Sequence, residues 1–465
     1  MFKQIEVSNF KSLKYLDYKC CKLNILTGLN GSGKSSFIQA LLCIKKLLSI
    51  GDSEGVFLLK DESRDFGTQR DIFYSYDNNS RILIGANMDI SSIVNDDALL
   101  GWVMERGEDL DTILEVRRYD EDKYAGISHA FGHLKSSRMS VEEYKRLRDD
   151  AKKELSKLVA GQVGDVSETE KHKRVEELRE SIRQFSHEIN ELSGGIPELS
   201  QIDFRSVPLT NEAHTIKYLS ANRSAPHYEH ALLSNVKWPD EFGDEGEGAV
   251  SYLLSKAAGQ VKVAPVLSYP GTSDYGLLPQ INSWMSVVSP GANLNLAKNS
   301  ERTRALLDID FEHGEDTAPR YRPQNVGFGI SYTLPVLALI LTAHRGDVLI
   351  IENPEAHLHP RGQAEIGKLL AKAAAYGVQI FVETHSDHVI NGVRVAVKRN
   401  DISSDDVKIA FFERKPHEVK DETSSLKKEI FTTVKDILVD KNGSLSEYPE
   451  DFMDEWNNQL MELLK

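Results

Sequence analysis

Apolar and polar residues alternate from Ile5 to Phe10 as in a half-buried strand, and Lys14 to Lys22 leads into a short apolar run, Leu23 to Leu26. Together these predict a β-hairpin feeding a polar, glycine-rich segment, Gly28 to Ser35. The period then changes. Phe37, Leu41, Ile44 and Leu48 share one face, which predicts a helix over Ser36 to Leu48. Arg81 to Met88 and Asp111 to Arg117 return to strand patterning, with Asp- and Asn-rich turns between them. Near the other end, four aliphatics from Val348 to Ile351 read as a buried parallel strand that ends at Glu352. Gln363 to Ala375 reads as a helix, and Gln379 to Val382 as another buried strand tipped by Glu383-Thr384-His385-Ser386. This order predicts an α/β fold with polar groups gathered at the carboxyl ends of parallel strands, where open α/β sheets bind ligands.

Between Val141 and Leu192 charged residues crowd around a sparse apolar repeat. Val175, Leu178, Ile182, Phe185, Ile189 and Leu192 step by three and four, the spacing of a coiled-coil seam. Val141, Tyr144, Leu147, Ala151, Leu155 and Leu158 repeat less regularly, and Gly161 to Val166 supplies a break. An antiparallel helical hairpin is expected, each arm about 35 Å long at the helical rise. From Ile202 to Val326 the pattern is mixed. Tyr218 to Arg223 looks like a strand leaving an exposed arginine, and Gly243 to Gly248 an acidic, solvated loop.

A length of 465 residues exceeds one compact core and favours two lobes or a core with large insertions. The balance of 56 basic against 71 acidic side chains, net −15, argues against coating nucleic acid by bulk charge. Cys20, Cys21 and Cys43 lie near the start and support neither a disulfide framework nor a zinc site. The first residues alternate like a strand rather than a signal peptide, and no apolar run approaches a membrane span. A soluble, cytoplasmic chain with no membrane partner is expected.

Gly28-Leu29-Asn30-Gly31-Ser32-Gly33-Lys34-Ser35 fits the spacing G-x-x-x-x-G-K-[ST] between a strand and a helix. Glycines let backbone N–H groups curl around phosphate oxygens, and the next helix turns its positive end toward the anion. Lys34 is placed to reach the β/γ-phosphates and Ser35 to hold Mg²⁺. Asn325 to Tyr332 is a second small-residue turn opening an apolar helical run, Leu334 to Leu341. Glu352 is a carboxylate delivered by a buried strand, as a Mg²⁺ ligand would be. His357, His359 and His385 lack the thiols and spacing of a structural metal site.

Taken in order, these motifs resemble the SMC/ABC-type ATPase superfamily, in its RecF-like and OLD-like branch of stand-alone ATPase heads. The matching pieces are Asn9-Phe10-Lys11-Ser12, the Walker A segment Gly28 to Ser35, a signature-like Gly327 to Ser331, the Walker B strand ending at Glu352, His359-Pro360, and Thr384-His385-Ser386. The resemblance implies an ABC/SMC-like head, a P-loop mixed β-sheet flanked by helices, carrying the helical hairpin as an insertion. It divides the chain into an N-terminal ATPase lobe (1–135), the hairpin (136–195), an intermediate region (196–324) and a C-terminal ATPase lobe (325–465).

The same resemblance implies ATP and Mg²⁺ as cofactors, with Asn30, Gly31, Ser32, Gly33, Lys34, Ser35 and Ser36 around the nucleotide. Gly329 and Ser331 would face the nucleotide of a second head in a homodimer or higher homo-oligomer. Ser35 and Glu352 would hold Mg²⁺, and His385 would sense the γ-phosphate. Asn353 stands where the family has the acid that polarises the attacking water. An amide cannot act as a general base, so slow or conditional turnover is expected unless Glu355 substitutes.

The tail from Tyr448 to Asn457 resembles that of bacterial anti-phage defence ATPases, among them Septu-type subunits. The implied function is an ATP-binding and ATP-hydrolysing regulatory subunit that controls a separate effector nuclease, with nucleic acid reached through that complex. The alternative is a RecF/SMC-like DNA-repair or DNA-tethering ATPase.

Overall fold

The computed structural model describes residues 1–50, 55–59, 65–74, 81–89, 97–106, 113–120, 215–232, 242–258, 260–311, 319–420 and 426–464. The helical hairpin expected over 136–195 lies outside these residues. The strands are β1 (Phe2–Phe10), β2 (Leu13–Lys19), β3 (Leu23–Gly28), β4 (Gly55–Leu58), β5 (Arg81–Asp89), β6 (Asp97–Arg106), β7 (Ile113–Asp120) and β8 (Ile216–Leu219). They continue with β9 (Glu229–Ala231), β10 (Ala292–Lys298), β11 (Arg304–Phe311), β12 (Val348–Glu352), β13 (Gln379–Glu383), β14 (Val407–Lys420) and β15 (Leu426–Ile437). The helices are α1 (Lys34–Ile50), α2 (Gln69–Ile72), α3 (Ala249–Ala258), α4 (Leu277–Val288), α5 (Phe328–Leu341), α6 (Pro360–Tyr376), α7 (Asp387–Lys398) and α8 (Glu455–Leu463).

Two compact units contain these elements. One comprises Met1–Lys3, Lys19–Gln39 and Pro208–Lys465; the other comprises Gln4–Tyr18 and Ala40–Val207. The first is built on a six-stranded sheet of order β15-β14-β3-β13-β12-β8. Its strands from β14 to β8 run parallel, and only β15 pairs antiparallel with its neighbour β14. Parallel strands covered by helices are apolar on both faces. Accordingly, Val348 to Ile351 and Ile380 to Val382 are all buried. This is the expected α/β architecture, a mixed sheet flanked by helices.

α5 is buried along Thr333 to Leu341 because nearly every side chain there is apolar, with no polar face to turn outward. Among the described residues no helix is long and apolar enough to cross a membrane. A smaller antiparallel sheet, β10-β11-β9, and the helix α4 occupy the stretch that gave the sequence pattern little to say. Asn282, on α4, donates to and accepts from the backbone of Leu294 on β10.

The second unit carries a six-stranded sheet of order β2-β1-β5-β6-β7-β4. Its β1–β2 turn takes Asn9 and Lys11 through left-handed φ values of 59° and 53°. The turn is held by Lys11 N donating to Ile72 O at 2.7 Å and by Asn9 Nδ2 donating to Arg81 O at 3.3 Å.

Two sequence expectations are corrected. Arg223 is 3% exposed rather than surface-facing, because the segment after β8 folds back across the end of β12. In the loop Gly243 to Gly248 the three glycines are buried, while Glu245 alone is exposed.

Candidate functional site

The phosphate loop is shaped by what lies behind it. β3 enters at Gly28, where φ is +134° and an added Cβ would stand 2.2 Å from the Phe412 carbonyl oxygen of β14. Only glycine fits such an approach. Thr432 of β15 donates to Ser32 O at 2.9 Å, so the hairpin β14–β15 holds the loop from its far side. α1 begins at Lys34, so the last two residues of the loop, Lys34 and Ser35, belong to the helix start. Phe37 anchors that first turn between the rings of Phe381 and Phe412, at 6.3 and 5.8 Å.

Asn30, Gly31 and Ser35 are exposed, Gly33 and Ser36 half-buried, and Ser32 and Lys34 buried. Lys34 Nζ donates to Gly28 O and Leu29 O, each at 2.9 Å, and lies 3.8 Å from Glu383 Oε1. Burial lowers the Lys34 pKa, with Glu383 opposing the shift. Burial first, then Glu352, pushes Glu383 up to about 7. Both shifts say the same thing: this low-dielectric spot resists charge more than the pair relieves it.

β12 and β13 pair in register, Glu352 opposite Glu383. Glu352 Oε1 accepts from the Tyr218 hydroxyl at 2.6 Å. The turn beyond it is fixed by Arg223, which donates to Glu352 O at 2.6 Å and to Asn353 O at 3.1 Å. Burial lowers the Arg223 pKa to about 10, Glu355 and Glu352 holding it from falling further. Asn353 takes φ +43°, a left-handed conformation that asparagine tolerates better than most residues, and its N–H donates to Glu383 O at 2.8 Å. Glu355 Oε1 accepts from His385 N at 3.0 Å, and burial raises the Glu355 pKa. The His385 ring is held below its ordinary pKa by burial and by the nearby Lys34 ammonium.

Gly329 and Ser331 lie in the first turn of α5. An added Cβ at Gly329 would stand 2.8 Å from His357 O, so the signature-like turn rests on the turn after β12. His357 packs on Tyr332 and Phe328, ring centroids 4.6 and 5.7 Å away, and Phe328 is 53% exposed. Pro335 within α5 supplies no N–H to Ser331 O, which loosens that first turn. The other motif residues have structural work. His359 caps α6, with Pro360 at its first position, and Ser386 caps α7 through His388 N and Val389 N. A cleft of about 190 Å³ adjoins the loop, lined by Thr27 to Asn30, His385 and Asp387 on one side and Asp451 to Met453 on the other.

Lys34, Glu352, Glu355 and His385 are thus tied together through Glu383 and Arg223, while Gly329 and Ser331 sit beside the turn at His357. Among the described residues, eight buried side-chain atoms lack a hydrogen-bond partner, and six belong here: Ser32 Oγ, Arg223 Nε, Ser331 Oγ, Asn353 Oδ1, Glu355 Oε2 and Glu383 Oε2. Orphaned buried polar atoms are costly, and their concentration fits a polar ligand and a hard cation. Ser35 and Glu352 are oxygen donors of the kind Mg²⁺ takes. No group of three or more His, Cys, Asp or Glu among the described residues forms a self-sufficient metal cage.

Sequence reasoning named Glu383 in the polar tip of its strand without giving it a role, and passed over Arg223 and Tyr218 as parts of the site. Glu383 had a visible signal, because β12 and β13 are equally long strands that each end in glutamate. Arg223 and Tyr218 had none, since their place depends on β8 pairing with β12 across more than a hundred residues.

A family model described as "AAA domain, putative AbiEii toxin, Type IV TA system" matches residues 96–391. A second, "Protein of unknown function (DUF3696)", matches residues 402–463. No curated protein matches the chain. Similar solved structures include an Smc head bound to the C-winged helix domain of ScpA, 12% identical, TM-score 0.46, covering 95% of this chain and 98% of that one. A Pyrococcus furiosus Smc head with an extended coiled coil is 14% identical, TM-score 0.40, covering 100% and 99%. The Thermotoga maritima SMC head is 9% identical, TM-score 0.36, covering 94% and 99%.

Proposed function

Because the chain belongs to the AAA-domain family described as putative AbiEii toxin, Type IV TA system, we propose that its ATPase site works as a nucleotide-gated switch. In this reading the protein is a regulatory subunit of an anti-phage defence complex, and a separate nuclease is the effector it controls. The observation that carries the reading is Asn353. The phosphate-binding parts are complete around Lys34, yet the residue after the strand acid is an amide with a buried, unpartnered Oδ1. Such a site holds nucleotide well and cleaves it slowly.

Each residue then has a task. Lys34 exchanges its contacts with Gly28 O and Leu29 O for phosphate oxygens. Ser35 and Glu352 hold Mg²⁺, which supplies charge neutralisation on the phosphates when bound. Glu355 positions the His385 backbone through its 3.0 Å hydrogen bond, so a change at the phosphate end reaches the turn beyond Asn353. Gly329 and Ser331 of one copy face the phosphate loop of a second copy, making nucleotide the glue of a head dimer.

Asn353→Glu tests the switch. With Mg²⁺ and ATP, phosphate release should rise at least about tenfold as a general base is restored. A rate equal to wild type would sink the reading of a switch slowed by its amide. The nuclease partner is tested by co-purification with the product of the neighbouring gene. A chain that stays alone, or a system that still protects cells when it carries Lys34→Ala, counts against an ATP-gated effector.

A further inference from the structure

Glu352 and Glu383 end adjacent parallel strands in register, so both side chains leave the same face of the sheet at the same level. Glu383 is 6% exposed, and its Oε2 has no hydrogen-bond partner. The cations around it are already engaged. Lys34 Nζ gives two 2.9 Å hydrogen bonds to Gly28 O and Leu29 O, and stands 3.8 Å from Glu383, beyond hydrogen-bond distance. Arg223 directs its terminal nitrogens at the Glu352 and Asn353 carbonyls. Glu352 has the neutral Tyr218 hydroxyl on one oxygen. Two carboxylates therefore meet beside the phosphate loop, with Glu355 close enough to add to their repulsion.

We infer that Glu383 is a second carboxylate ligand of the divalent cation, so that Ser35, Glu352 and Glu383 hold it together. Mg²⁺ is commonly bound by one or two carboxylates plus substrate phosphates, and two facing carboxylates with an idle oxygen supply that set. A cation between them removes the like-charge repulsion that the metal-free site suffers. The inference rests on the nucleotide reading above and deepens it. Lys34 is thereby released from its carboxylate neighbour Glu383 when cation and phosphate arrive together.

The test uses the full chain and a readout other than turnover. Mn²⁺ binding in the presence of ADP is followed by electron paramagnetic resonance, and binding of a fluorescent ADP is measured separately in EDTA. Glu383→Gln should weaken Mn²⁺ binding at least about tenfold, a range that even outer-shell partners reach, while metal-free nucleotide affinity stays equal or improves. Glu383→Asp, which keeps the charge on a shorter stem, should recover part of the Mn²⁺ affinity. Unchanged Mn²⁺ affinity in Glu383→Gln would overturn the inference. So would an equal loss of nucleotide affinity in EDTA, which would assign Glu383 to positioning Lys34. If wild type binds no nucleotide in either buffer, the nucleotide reading itself falls, a result distinguishable from both.

Discussion

Glu383 carries a charge that its surroundings discourage, and that conflict has a thermodynamic signature. Its folded pKa, about 7, lies above the 4.5 of a free glutamate. The folded protein therefore keeps a proton that the unfolded chain has given up. Stability from this group is fully present below pH 4.5 and is lost as pH rises through 7. In metal-free protein, Glu383→Gln should flatten the fall of thermal stability between pH 5 and pH 8, with a gain on the order of 2 kcal/mol at pH 8. Parallel pH profiles for variant and wild type would refute this. Lys34 and its glycines were legible in the sequence because a phosphate loop is local, every part lying within eight residues. The partners that set their charges were not, since they arrive through strand register and a returning loop.

Among the elements, the buried strands and the helices α1 and α6 could be read from period and length, because each buries apolar positions that the sequence must pattern. β14 and β15 were missed as a pair. Their alternation is interrupted by charged residues such as Arg414 and Lys435, which stay outside the core. Gln379, the first residue of β13, shows how the elements are sewn together. Its Oε1 accepts from Phe2 N at 2.7 Å, and its Nε2 donates to Phe2 O at 2.7 Å and Cys21 O at 3.1 Å. Gln379→Leu strands these buried backbone groups, each costing about 1–3 kcal/mol when left unpaired. A drop of several degrees in melting temperature is expected on calorimetry, on the order of 3 kcal/mol in total. An unaltered melting temperature would mean the start of β1 is held by something else.

For the whole molecule, the proposed head dimer makes a prediction about size. Light scattering with ATP and Mg²⁺ should show a mass increase that disappears in Ser331→Arg, while that variant still binds nucleotide as a single chain. A variant that dimerises normally would remove Ser331 from the interface. The division by motif order, 1–135 and 325–465, follows the chain, whereas compactness groups Lys19–Gln39 with Pro208–Lys465. The reason is the position of β3, hydrogen-bonded to β13 on one edge and to β14 on the other. The two matched family segments, 96–391 and 402–463, each supply one neighbour of that strand, and neither contains it. The boundary between the two matched segments, near residue 400, therefore does not fall between compact units. A break between residues 391 and 402 separates the two strands that flank β3, so both matched segments must be present for the strand that enters the phosphate loop to be paired on both edges.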